Sequence, residues 1–268
     1  MPTLTEILIH AQRFAHPVIA DTITTGYCTR LGKSRKLSDK IAYAKNYKID
    51  FRKTRKCSKK DTLETCLAKF PTLNDFFARE LKPEFLKVAS KRKGDIVSPA
   101  ECMARQIQTD SEGHFSVKGA DYTMEKLLRM TTVPQKATVC IFRLAPEHYH
   151  RIHSPFSSQI KSIRSVGGHY ASVNPILLER NPVLQENYRK IITFTNGMIM
   201  VAVGATCVGT VDLSVVRGDR VKVGQDLGCF KFGGSCLVLI IPGTLESPLT
   251  AEERFLNVGA YVGTLHTS

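Results

Sequence analysis

Apolar positions along the chain keep two rhythms, and the change comes near residue 95. Ahead of it, Leu4, Ile7, Leu8, Ala11, Phe14, Ala15, Val18 and Ile19 recur at helical spacing and predict a helix over residues 3–20. Thr3 and Glu6 stand where a capping box would open that helix, and Pro17 ends or kinks it. TLETCLAKFPTLNDFFARELK, residues 62–82, is helical again but breaks at Pro71, where Thr72 or Asn74 can cap a fresh start. Beyond residue 95 come short β-branched runs separated by glycine and proline: DIVSPAECMARQIQ, HFSVKGA, ATVCIFRL, SQIKSIRSVGGHYASV, KIITFT, MIMVAVGATCVGTVDLSV and CLVLIIPG. YTMEKLLRM is a helix interrupting them. This pattern predicts an α+β fold with a mainly antiparallel β core, sandwich- or barrel-like, behind a helical N-terminal segment. The expected division is a helical, basic segment over 1–65 and a β-rich domain over 66–268.

Charge adds a partner to this picture. The 268 residues carry a net charge of +14, an excess that suits a polyanionic partner or an anionic surface. Much of it lies in LGKSRKLSDKIAYAKNYKIDFRKTRKCSKK, where apolar residues interleave with basic ones. That run reads either as a solvated helical face or as a basic amphipathic element on anionic lipid. No nucleic-acid-binding motif accompanies it, and aromatic residues are not arrayed along it. No stretch approaches the ~20 apolar residues that span a bilayer, and the N-terminus lacks the basic n-region and apolar h-region expected of a secretory signal. Eight cysteines lie scattered without a CxxC or CxxH pair, which argues against a zinc site and a compact disulfide framework; free thiols in a reducing compartment are the simplest account, and the spacing leaves room for one bridge.

Reactive side chains gather in three places. EHYHRIHSP holds His148, His150 and His153 just after a predicted strand. On extended backbone, His148 and His150 share a face and His153 points away, so no metal triad is expected. SPAECMA sets Glu101 after a turn-forming Ser-Pro; it either ends a strand at the surface or orients a histidine. FKFGGSCLVLIIPG reads as a buried strand headed by Gly233, Gly234, Ser235 and Cys236. Glycines there leave the Gly234 carbonyl open to the neighbouring Ser235 hydroxyl, although the same residues could simply form a turn. No GxSxG elbow is present, so an ordinary serine hydrolase is not supported.

Taken together, FPTLNDFFARELKP, IVSPAE, FSVKGADYTMEKLL, FRLAPEHYHRIHSP, ASVNP, VGATCVGTV and FKFGGSC resemble the phosphatidylserine decarboxylase family, from about residue 66 to the end. The resemblance implies a zymogen that cuts itself between Gly234 and Ser235 and turns Ser235 into a pyruvoyl cofactor. It implies that His153 is the base on Ser235, held by Glu101, and that His150 assists protonation after CO2 leaves; His148 is left as an exposed loop histidine. It further implies phosphatidylserine as substrate, an anionic membrane as partner, a homodimer, and a peripheral place on the cytoplasmic side of the membrane. Two positions depart from the family's pattern: Glu101 stands for the usual aspartate, and Cys236 for the usual threonine. The alternatives are a decarboxylase of a free amino acid such as tryptophan, or a non-processing relative that only binds lipid.

Overall fold

The computed structural model describes residues 26, 29–117, 119–134, 136–173, 178, 181–205, 211–233 and 235–265. The helix expected over 3–20, residues 206–210 and Gly234 lie outside them. The α-helices with defined bounds are α1 (Leu37–Asn46), α2 (Leu63–Ala68), α3 (Leu73–Phe77), α4 (Met124–Leu128) and α5 (Val183–Glu186). The strands are β1 (Asp95–Val97), β2 (Cys102–Gln108), β3 (His114–Val117), β4 (Ala120–Thr123), β5 (Ala137–Leu144), β6 (Arg151–His153), β7 (Ser158–Val166) and β8 (Arg189–Phe194). They continue with β9 (Ile199–Gly204), β10 (Val211–Leu213), β11 (Arg220–Val221), β12 (Asp226–Phe230), β13 (Ser235–Pro242), β14 (Leu245–Glu246), β15 (Arg254–Leu256) and β16 (Tyr261–Leu265).

Pro71 separates α2 from α3, as the sequence predicts, because its ring cannot continue the first helix. Of the two candidate caps for the second, Thr72 takes the role. Its hydroxyl accepts from the Asp75 amide while the Asp75 carboxylate accepts from the Thr72 amide, a closed capping box.

Strand β13 lies inside an eight-stranded antiparallel sheet ordered β11-β7-β8-β9-β13-β5-β2-β15. The sheet stays open, with β11 and β15 at its edges, so the β core is not a closed barrel. Side chains alternate across β13, and both faces are covered. Leu237, Leu239 and Ile241 join Phe142, Met200 and Ala202 in one apolar cluster, which Tyr43 of α1, Phe76 and Phe77 of α3, and Phe70 between α2 and α3 cap. Cys236, Val238 and Ile240 join Val139, Ile141 and Val201 in a second cluster, closed by Tyr122, Leu127 and Leu184. Burial on both sides explains the unbroken run CLVLII in place of polar alternation. Each such leucine or isoleucine contributes roughly 1.5–3 kcal/mol through burial.

Residues on both sides of position 65 feed the first cluster, among them Tyr43, Ala44 and Ile49 from the basic segment. Cys57 and Cys66 also lie in it and form a disulfide, with Cα atoms 5.2 Å apart. This is the single bridge that the spacing left open, in place of free thiols for this pair: α2 and the preceding loop bring the two side chains together. Closing so short a loop adds about 2–3 kcal/mol of stability. Among the described residues no helix is long and apolar enough to cross a membrane.

Candidate active site

Ser235 is the first residue of β13, paired with Leu144 on β5 and Gly204 on β9, and is completely buried. The chain reaches it through Gly233 at φ 139°, in the positive-φ region that favours glycine. The approach is pinned from α3: Asn74 Oδ1 accepts from the Phe232 amide at 2.6 Å. Phe232 in turn packs on Tyr43 and Phe77, with ring centroids 5.4 Å away in each case. The FPTLNDFF and FKFGG motifs, distant in sequence, thus form one wall.

His150 stands against that wall, stacked on Phe77 at 4.0 Å. Its Nδ1 lies 3.0 Å from Ser235 Oγ, and its Nε2 lies 3.0 Å from the Ala145 carbonyl oxygen. A carbonyl only accepts, so Nε2 carries the proton and Nδ1 presents its lone pair to the serine hydroxyl. Burial pushes the His150 pKa well below its ordinary value, and the charge of Arg79 and the neighbouring His148 push the same way. The imidazole is therefore neutral, and Ser235 donates its hydroxyl proton toward a ready acceptor.

His153 does not reach Ser235. Its Nδ1 donates to the Gly224 carbonyl at 2.9 Å, so Nε2 accepts from the Tyr149 hydroxyl at 3.0 Å. Nor does Glu101 hold it, since no hydrogen bond joins the two side chains. Glu101 is half-buried; burial raises its pKa, and Arg79 and Lys53 oppose that rise. The reason is the odd spacing: His153 lies on β6, three residues past His150, and points away from it. His148 is buried, not exposed in the loop as expected; its Nδ1 accepts from the Ala145 amide at 3.0 Å and its ring lies 5.6 Å from Phe255. Cys236 faces the opposite side of the sheet, and burial raises its thiol pKa far above the ordinary value.

The sequence offers Asn74 only as a helix cap and does not single out Tyr149 or Arg79. Arg79 carried a visible signal, a charge just after the apolar run LNDFFA, and it is only 5 % exposed. The surroundings of Ser235 suit a pyruvoyl precursor: a buried hydroxyl, a neutral imidazole acceptor and aromatic walls that exclude water.

The profile described as phosphatidylserine decarboxylase matches residues 73–264. The chain belongs to the phosphatidylserine decarboxylase family. It is 33 % identical over 218 residues to phosphatidylserine decarboxylase proenzyme 2 of Komagataella phaffii, covering 74 % of this chain and 22 % of that protein. With the phosphatidylserine decarboxylase proenzyme of Ruminiclostridium cellulolyticum it shares 32 % identity over 207 residues, 74 % of this chain and 66 % of the relative. The Anoxybacillus flavithermus proenzyme is 33 % identical over 207 residues, 74 % of either chain. The match to this chain thus spans about a fifth of the length of the yeast relatives and about three quarters of the last of these bacterial ones.

Proposed function

We propose that the chain is a self-cleaving, pyruvoyl-dependent decarboxylase that converts phosphatidylserine to phosphatidylethanolamine and CO2. The observation that carries this reading is the hydrogen bond from the buried Ser235 hydroxyl to the neutral His150. In the uncut chain, His150 Nδ1 takes the hydroxyl proton as Ser235 Oγ bonds to the Gly234 carbonyl carbon. The Ser235 nitrogen leaves with a proton, and the amide becomes an ester. Loss of the Ser235 α-proton expels the Gly234 carboxylate and leaves a dehydroalanine. Hydrolysis of that residue releases ammonia and yields the pyruvoyl group. A serine hydroxyl is a poor nucleophile without a base, and such a base contributes roughly 10²–10⁴-fold in rate.

The group so formed supplies a carbonyl that takes the substrate amine and accepts electrons as CO2 departs. The chain's own residues shape the site around it. Phe77 and Phe232 keep water from position 235. His150, fixed by Ala145, keeps one proton site free for the reaction.

A second assignment of the base, the Glu101–His153 relay, has one observation in its favour. The His153 amide donates to the Pro99 carbonyl at 2.8 Å, which holds the SPAE turn against the histidine strand. It requires His153 to release Tyr149 and turn.

Contact with an anionic membrane, on its cytoplasmic side, belongs to the same proposal and draws support from an exposed aromatic ring among lysines. Phe85 is 41 % exposed, and Lys53 and Lys87 line with it a cavity of about 480 Å³. An apolar ring among lysines suits an anionic lipid interface. Assembly as a homodimer is also part of this reading.

Release of CO2 from vesicles containing phosphatidylserine, measured beside soluble L-serine and L-tryptophan, tests the substrate. Turnover of the vesicles alone is expected. Turnover of tryptophan without vesicle turnover would replace this reading with the amino-acid one.

A further inference from the structure

Arg79 follows α3 and is buried almost completely, with its guanidinium 5.4 Å from the centre of the Phe76 ring. Its Nη2 donates to the carbonyls of Glu147 and His148, each at 3.3 Å. Nε and Nη1 have no hydrogen-bond partner. A guanidinium carries five N–H donors and stays charged, so leaving most of them unpaired and away from water is strongly unfavourable unless something arrives to accept them. Among the described residues no ion pair joins it to an acid, although Glu101 is near enough to act on it electrostatically.

Arg79 lines a cavity of about 470 Å³ together with Lys48, Lys53, Asp50, Glu101 and Glu147. The lining is mixed in sign, as a zwitterionic headgroup needs. Asp50 already caps the Arg52 amide, and Glu147 is exposed, so neither carboxylate is aimed at the guanidinium as a fixed partner. The loop from Ala145 to His148 joins this cavity to the Ser235 site: Arg79 donates to its carbonyls at 147 and 148, His150 Nε2 donates to the one at 145, and the Arg79 charge acts on His150.

Resting on the activity proposed above, we infer that Arg79 binds the phosphodiester of the substrate headgroup. The substrate's other anion is a poor occupant. A guanidinium paired with a carboxylate that departs as neutral CO2 would stabilise the ground state more than the transition state. The phosphodiester keeps its charge throughout, and four bonds separate its phosphorus from the amine that must reach position 235. Arg79 is thus a specificity residue, selecting a phosphorylated serine over the free amino acid.

The test uses the full-length, uncut Ser235→Ala chain and calorimetric titration with glycerophosphoserine, glycerophosphoethanolamine, L-serine and inorganic phosphate. Both phosphodiesters are expected to bind at least tenfold more tightly than L-serine or inorganic phosphate. Adding Arg79→Gln is expected to weaken both phosphodiesters at least tenfold and leave L-serine unchanged, and Arg79→Lys to restore part of the loss. Equal binding of L-serine and glycerophosphoserine, or of inorganic phosphate and the diesters, overturns the inference. So does an equal loss for every ligand on Arg79→Gln, the result of a purely structural role. If the Arg79 variants do not fold, the ligand ranking on the parent chain decides alone. Phosphodiester selectivity in a chain whose processed form releases no CO2 from phosphatidylserine would refute the activity and leave the binding site standing.

Discussion

Ser235 and Cys236 are adjacent on one strand and face opposite sides of one sheet. Both are completely buried, yet only the weaker nucleophile of the two has a base. Ser235 meets a neutral imidazole 3.0 Å away. On the other face Cys236 meets apolar side chains, and the nearest charges belong to Arg143, Glu253 and Arg105. Those charges satisfy one another: Arg143 forms two hydrogen bonds to Glu253, at 3.1 and 2.8 Å, and Arg105 reaches the same carboxylate at 3.0 Å. In the proposed reaction, the face that holds a proton acceptor decides which side chain reacts, not the intrinsic strength of the side chain.

The largest effect expected from breaking that contrast is at Ser235 itself. Ser235→Ala leaves one band at 29.8 kDa on a denaturing gel, whereas Cys236→Ala cuts normally; the reverse pattern would move the chemistry to the other face. Next comes the base. His150→Ala should slow cutting by roughly 10²–10⁴-fold, and His153→Ala by much less. A time course with the two effects exchanged would establish the Glu101 relay instead.

The pH profile sharpens the same point. Burial lowers the His150 pKa, so the neutral base persists below the ordinary value of 6.5, and the cutting rate should stay flat through that pH and fall only well below it. Stability follows the same sign. An unfolded chain takes up the proton near 6.5 and the folded one does not, so the contribution is full above that pH and is lost as pH falls. A cutting rate that halves near 6.5 would mean an unshifted base.

The smallest effect belongs to the far face. Glu253→Gln strands two partly buried guanidinium groups and should cost roughly 2–3 kcal/mol in urea unfolding. Cutting should continue, because no charge on that face takes part.

Much of the architecture was legible along the chain. Pro71 marks the helix break, and the run CLVLII, with glycines at its head, marks a strand buried on both faces. The resemblance singled out Ser235, and β alternation separated His150 from His153. Which histidine meets the serine was not legible, because that contact spans 85 residues and depends on the turn at Ala145 that aims the ring. The disulfide was hidden for a similar reason: Cys57 and Cys66 meet through the fold of α2 on the preceding loop. Arg79 escaped because an arginine after an aromatic run looks like a helix-end charge until its burial is known.

Intact-mass analysis of the purified, active protein tests the central claim most directly. The account predicts two chains, residues 1–234 ending in a free carboxylate and residues 235–268 beginning with a pyruvoyl group in place of serine. A single uncut chain with an unmodified Ser235, in a preparation that still releases CO2, would contradict it.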